Sequence, residues 1–297
     1  MQVYLNGDMV DAGGARISIE DAGFTHAVGL FETMAARNGH VFRMDAHLAR
    51  MNESAQQLGL ARQLDVETLG QAVMRTLEHN KLSEARVRLT VTAGAVSLLR
   101  PADVPPQPTV LVNTTEPTQY DPAYFDQGIK ALIAPPGANP FDPLAGHKTL
   151  AYWARLRTLR QAAAAGAGEA IWLNVTNHLA SGAVSNIFLV KDRALLTPFA
   201  RGEEVTGALP APVLPGITRA AVLEIAGRMD IPIHKRMLDV NDLLEADEVF
   251  LTNSSWHVLP VTSVEKKSVS NGKVGQVTEQ LRQSLLEMID RETQSDA

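Results

Sequence analysis

The sequence contains no cysteine, which excludes a disulfide framework, a thiolate nucleophile and any Cys-ligated zinc or iron–sulfur centre. Aromatic residues are scarce, at 5%, and no cluster of Lys and Arg is interleaved with them. The basic, stacking surface that nucleic acid requires is therefore missing. No apolar run approaches the roughly 18 residues needed to span a bilayer. The start, Met1-Gln2-Val3-Tyr4-Leu5-Asn6-Gly7, reads as a strand and turn rather than a signal peptide. These absences predict a soluble, cytoplasmic protein with neither nucleic acid nor membrane as a partner, and no metal site is assigned.

What is present is an ordinary globular composition: 297 residues, 45% hydrophobic and 20% charged, with 16 Pro, 21 Gly and a net charge of −6. A single core is near its size limit at this length, so two domains are expected. Asn6-Gly7 and Asn38-Gly39, each between apolar runs, are hairpin signals that predict antiparallel strands at the start of the chain. Asp45 is a candidate N-cap for a helix from Ala46 to Leu58, and a second helix is expected over Val66 to His79. Val87, Leu89 and Val91 alternate with Arg86, Arg88 and Thr90, which predicts a strand from Ala85 to Thr92, followed by another over Thr109 to Asn113.

The polar bridge around Pro117, Asp121 and Pro122 sets the boundaries: a smaller N-terminal domain over 1–117, a linker over 118–127 and a larger C-terminal domain over 128–297. In the larger domain, strands near Ile129, Glu169, Asn186 and Val249 alternate with helices near Leu150 to Ala165, Ile217 to Met229 and Val274 to Arg291. The fold class is α+β, with helices on a largely antiparallel sheet.

Five features can carry chemistry. Lys148 lies in Gly146-His147-Lys148-Thr149-Leu150, at the entry of a helix whose Leu150, Trp153, Leu156 and Leu159 recur every three residues. Such a lysine is either a snorkelling surface residue or a desolvated amine of lowered pKa, the state that Schiff-base chemistry needs. Leu214-Pro215-Gly216-Ile217-Thr218-Arg219 leads into an apolar helix. Either it is a plain turn, or the amides of Ile217 and Thr218 receive a phosphate. Ser181-Gly182-Ala183-Val184-Ser185-Asn186 feeds a strand with small residues that let backbone approach a flat ligand. Thr252-Asn253-Ser254-Ser255 closes a strand with four hydrogen-bonding side chains, as either a capped turn or an anion site. His47 and Arg50 share one helix face, and Arg50 can fork onto a phosphate.

In order and content these segments resemble the class IV aminotransferases, the fold-type IV pyridoxal-5′-phosphate enzymes. That group includes branched-chain and D-amino-acid aminotransferases and aminodeoxychorismate lyase. The resemblance rests on Phe31-Glu32-Thr33, His47-x-x-Arg50, Lys148, Ser185-Asn186-Ile187-Phe188 and Leu214 to Arg219, and covers almost the whole chain. It implies a two-domain architecture with pyridoxal phosphate at the domain interface, a homodimer, and an amino acid and a 2-oxo acid as substrates. Lys148 would hold the cofactor covalently and then move the Cα proton as a base. Arg50, Gly216, Ile217, Thr218 and Ser254 would receive the phosphate, Leu214 would lie against the ring, and Asn186 belongs to the family's Ser-Asn pair. Phe31, Arg88 and the amides of Ser254 and Ser255 would meet the substrate.

Departures from the family pattern are informative. Its glutamate at the pyridine nitrogen, five residues before Asn186, is Ser181 here, which implies a weaker electron sink. Its Gly-Asp-Gly is Ala27-Val28-Gly29, and the D-specific carboxylate trap reads as Leu98-Leu99-Arg100, with Arg100 a displaced substitute. The leading expectation is an aminotransferase working by ping-pong transfer. The alternative is a lyase releasing pyruvate to give 4-aminobenzoate, to which Thr252-Asn253-Ser254 is closer, and the third is a cofactor-binding protein of weak or lost activity.

Overall fold

The computed structural model describes residues 1–95, 107–135 and 137–294, so Arg100 lies outside the described residues. The chain divides into two compact units. The first holds the described part of Met1–Thr118, the short segment His147–Ala151 and the chain from Ile289 onward, and the second holds the rest.

In the first unit the chain forms β1 (Gln2–Leu5), β2 (Asp8–Asp11), α1 (Ala22–His26), β3 (Gly29–Arg37), β4 (His40–Val41), α2 (Met44–Gln57), α3 (Val66–Asn80), β5 (Ala85–Thr92) and β6 (Val110–Thr115). The strands make one antiparallel sheet in the order β2-β1-β6-β5-β3-β4. Both Asn-Gly pairs sit at the expected hairpins, with Asn6 and Asn38 in the left-handed region that such turns require.

Side chains alternate faces along a strand. Leu30, Met34 and Ala36 of β3 and Val87, Leu89 and Val91 of β5 therefore build one core with Leu48 and Met51 of α2 and Leu69, Val73 and Leu77 of α3. Glu32 shares the core face of β3, and Phe31 points the other way, as does Arg88 on β5. The start of α2 differs from the expectation. Arg43, in the left-handed region, precedes the helix, and Asp45 lies inside the first turn, where its charge favours the helix dipole. Arg43 is fixed there by Glu292, through Nε and Nη2 at 3.1 and 3.0 Å.

The second unit contains α4 (Ala123–Asp126), β7 (Ile129–Ile133), α5 (Trp153–Ala164), β8 (Glu169–Leu173), β9 (Leu179–Gly182), β10 (Asn186–Lys191), β11 (Ala194–Thr197), α6 (Ile217–Arg228), β12 (Ile233–Lys235), α7 (Val240–Leu244), β13 (Glu248–Asn253), β14 (His257–Val264), β15 (Lys267–Ser268) and most of α8 (Gln276–Glu292). Its sheet runs β12-β11-β10-β13-β14-β7-β8-β9, with β15 attached to β14. The pairs β11/β12, β14/β7 and β7/β8 are parallel and the others antiparallel. The central strands are buried on both faces and read as near-continuous apolar runs such as Glu169–Leu173 and Asn186–Lys191. Stacked Phe188 and Phe250 rings, 4.9 Å apart, join β10 to β13.

Helix α5 starts at Trp153, three residues later than the spacing predicts. The residues before it are held as extended chain on β3. Phe31 N donates to Lys148 O at 3.0 Å, Leu150 N donates to Gly29 O at 2.9 Å, and Thr149 bridges Leu30. Backbone pairing outside a helix consumes the groups that a helical turn would need. Trp153 and Leu156 are exposed in the described chain. Among the described residues no helix is long and apolar enough to cross a membrane, and no group of His, Cys, Asp or Glu could hold a metal ion.

Candidate active site

In the first unit Lys148 is placed by those two backbone hydrogen bonds rather than by a helix. Its Nζ lies 4.4 Å from the centre of the Phe31 ring, and the Arg88 guanidinium carbon lies 3.9 Å from the same centre. Two cations against one buried ring are a cation–π arrangement that keeps amine and guanidinium close despite their like charge. The neighbouring His147 shares a 2.9 Å hydrogen bond between Nδ1 and the buried Ser54 Oγ.

On the opposite face of β3 the expected His47 and Arg50 face meets Glu32. Arg50 donates from Nε to Glu32 Oε1 at 2.9 Å and from Nη2 to Oε2 at 2.5 Å. His47 Nδ1 donates to Oε2 at 2.8 Å. All three are buried, with Glu32 1% exposed. Burial raises the Glu32 carboxyl, but the Arg50 charge and the His47 hydrogen bond outweigh it, and the group sits at about 2. Burial holds the His47 imidazole below its usual range, so Glu32 fixes it as the neutral Nδ1–H form. Arg50, the expected phosphate ligand, is forked onto Glu32. Sequence reading gave Glu32 no role, although a carboxylate in an apolar strand between Phe31 and Met34 is itself a signal.

In the second unit the turn before α6 is tied to the sheet by Asn186, whose Nδ2 donates to Leu214 O at 2.9 Å. Gly216 is the N-cap of α6 and no side chain caps the helix, so the amides of Ile217 and Thr218 are the donors that a helix start leaves over. Behind them the buried Arg219 forks onto Glu203 at 2.9 and 2.7 Å and donates to Pro198 O at 3.0 Å, which anchors the first turn. Thr252 lies opposite Asn186 in the β10/β13 register, and its buried Oγ1 has no hydrogen-bond partner among the described residues. Such an atom costs free energy unless a ligand satisfies it.

The turn after β13 carries Ser254 and Ser255. Asn253 Oδ1 accepts from Ser255 N at 2.8 Å and Trp256 N at 3.0 Å, so the Ser255 amide expected to meet a carboxylate is engaged within the turn. Ser181, on β9, is buried and accepts from Arg155 Nη1 at 3.2 Å. Glu169 is buried nearby and accepts from the amides of Ala170, Ala183 and Val184 and from Ser185 Oγ, at 2.9 to 3.2 Å. Burial pushes its carboxyl up despite those donors. The sequence assigns no role to Arg155 or Glu169; Glu169 at the head of the apolar run Ala170-Ile171-Trp172-Leu173 is the one with a legible signal.

The chemistry available is an amine placed among cations in one unit and an uncapped helix start with an unsatisfied hydroxyl in the other. Within its own unit the amine suits a carbonyl compound, and within the other the helix start and the hydroxyl suit an anion. The family model for class IV amino-transferases matches residues 29–264, and the chain belongs to that family. A Methanocaldococcus jannaschii protein provisionally named a branched-chain-amino-acid aminotransferase is 31% identical over 284 residues, 95% of this chain and 94% of the relative. The D-alanine aminotransferase of Staphylococcus epidermidis is 28% identical, covering 95% of each. The crystal structure of the Escherichia coli branched-chain amino acid aminotransferase superposes with a TM-score of 0.88 at 26% identity, over 99% of this chain and 96% of that one. The 4-amino-4-deoxychorismate lyase of Pseudomonas aeruginosa gives 0.79 at 27% identity, over 97% and 99%. The chain is an enzyme of this family, with its mixed α/β fold.

Proposed function

We propose that this enzyme moves an amino group between an amino acid and a 2-oxo acid with pyridoxal 5′-phosphate bound through Lys148. The observation that carries the reading is Lys148 itself, fixed by backbone pairing to β3 with its amine over Phe31. The residues present fit the cofactor, because α6 begins without a side-chain cap and Thr252 Oγ1 is buried without a partner. When bound, pyridoxal phosphate supplies an aldehyde that condenses with amines and a ring that draws electron density from Cα.

Lys148 would offer the amine that holds the cofactor and, when free, would be the base for the Cα proton. The amides of Ile217 and Thr218, the Thr218 hydroxyl and Ser254 would hold the phosphate, and Arg50, forked onto Glu32, would add its charge. Leu214 would pack on the cofactor and Ser181 would hold its nitrogen. Phe31 and Arg88 would contact the substrate, whereas the Ser255 amide stays engaged with Asn253 Oδ1. The family resemblance supports a homodimer acting in the cytoplasm on small-molecule substrates.

The test is the visible spectrum of the loaded protein during addition of D- and L-amino acids. Loss of the cofactor's band with one hand of donor, and its return with a 2-oxo acid, is the expected result. A band that no donor changes would overturn the reading. The second reading, a lyase acting on aminodeoxychorismate, is favoured by the string Thr252-Asn253-Ser254 and by the likeness to the Pseudomonas aeruginosa lyase. Release of pyruvate and 4-aminobenzoate would establish it.

Gly216 gives a further expectation. A Cβ there would overlap Asn186 Oδ1, so Gly216→Ala must displace the side chain that ties the turn. Overpacking of this kind costs about 1–3 kcal/mol, and cofactor retention is expected to weaken about tenfold or more. Dialysis against buffer, followed by the absorbance that remains, measures it; unchanged retention would remove this turn from the cofactor site.

A further inference from the structure

Ser181 stands opposite Trp172 in the β8/β9 register and is 4% exposed. Its hydroxyl oxygen accepts an N–H from Arg155 Nη1 at 3.2 Å. The same Nη1 donates to the carbonyls of Gly182 and Ala183 at 3.1 and 3.2 Å. The guanidinium carbon lies 5.0 Å from the centre of the Trp172 ring. Arg155 is thus held by three neutral oxygens and an aromatic face, and among the described residues it makes no ion pair. Glu169, the ionisable group on β8, has its carboxyl committed to Ala170, Ala183, Val184 and Ser185.

A serine hydroxyl has one hydrogen and two lone pairs. Arg155 donates into one lone pair, so the hydrogen of Ser181 is directed at another acceptor. We propose that Arg155, acting through Ser181, keeps the ring nitrogen of the bound cofactor unprotonated. The inference rests on the reading above, in which Ser181 meets that nitrogen. Two causes act in one direction: a hydroxyl polarised by the Arg155 donor is a stronger donor and a weaker acceptor, which favours a nitrogen lone pair over an N–H, and the guanidinium charge opposes a second positive charge beside it. Arg155 is a positioning residue, since it touches Ser181 and not the ring. Its consequence is a ring that draws less charge from Cα, which leaves Lys148 to move the proton with less help from the cofactor. Donors with an intrinsically acidic Cα–H therefore become the faster substrates.

The experiment loads the full-length protein with pyridoxal phosphate labelled with ¹⁵N at the ring nitrogen and follows its NMR shift with pH. The wild-type protein needs no substitution to test the claim: its shift is expected at the unprotonated position through neutral pH. The double variant Arg155→Ser, Ser181→Glu is expected at the protonated position. Arg155→Leu alone is expected to raise the protonated fraction at a fixed pH about tenfold. A protonated ring nitrogen in the wild type, or a titration indifferent to Arg155→Leu, would overturn the proposal. Cofactor bound through Lys148 with a protonated nitrogen sinks this inference alone, whereas a protein that retains no cofactor sinks the functional reading and this inference with it.

Discussion

Lys148→Ala is expected to lower the rate of amino-group transfer by about 10²–10⁴ or more, because the general base and the covalent anchor are lost together. The reason is positional. Lys148 contributes its carbonyl to Phe31 N through the backbone, which alanine preserves, so the segment His147–Ala151 stays on β3 and the protein stays folded. What disappears is the amine over the Phe31 ring. A small primary amine added to the variant is expected to restore part of the rate, since the deleted group is a base on a stem rather than a structural pin. Stopped-flow measurement of the half-reaction separates this from a folding defect. A variant that transfers amino groups within a few-fold of the wild-type rate would place the chemistry at another residue.

Glu32→Ala carries the largest expected loss of stability. Glu32 is the shared acceptor for Arg50 and His47, and its removal leaves a buried guanidinium without its carboxylate. Breaking a buried pair from one side costs about 3–5 kcal/mol, which corresponds to a fall in Tm of about 10 °C for a chain of this size. The same cluster sets an acid limit. Between the ordinary carboxyl value of 4.5 and its folded value of about 2, Glu32 is protonated in the unfolded chain and ionised in the fold. Its contribution is complete above pH 4.5 and drains away as pH falls towards 2. His47, held below 6.5, acts in the same sense: it is neutral in the fold, and stability falls as pH drops below 6.5. Glu169 has the opposite sign, since a raised carboxyl contributes most below pH 4.5 and loses that contribution as pH rises through its folded value. Thermal melts of wild type and Glu32→Ala across pH 3–8 check the account. The gap between them is expected to close in acid, and a gap constant with pH would contradict it.

The hairpins, the alternating strand β5 and the helix α3 were legible because each is specified by neighbours in sequence: an Asn-Gly pair, a period of two, or Asp65 capping Thr68 N. Lys148 and the turn before α6 stand out in the sequence for a different reason, the order of short motifs along the chain. Arg43 as the residue before α2 was not, because the partner of its side chain, Glu292, is far away in sequence. The late start of α5 was hidden in the same way. Apolar spacing from Leu150 to Leu159 is helical, but the pairing of Lys148 and Leu150 with β3 prevails over local pattern. Arg155 illustrates the limit most clearly. Ser181 was visible as a missing carboxylate, while the arginine that meets it lies on a helix 26 positions away and becomes its neighbour only when β9 pairs with β8. Thr252 was seen only as one of four polar residues, and its unsatisfied hydroxyl exists only in the packed sheet.

The central claim is that Lys148 holds the cofactor and gives it up to an amino donor. The most direct measurement is borohydride reduction of the loaded protein before and after donor is added, followed by peptide mapping of the trapped group. The account expects the group on the peptide containing Lys148 before donor, none after donor, and its return when a 2-oxo acid is supplied. A label on a different lysine, or a label on Lys148 that no amino donor removes, would contradict it.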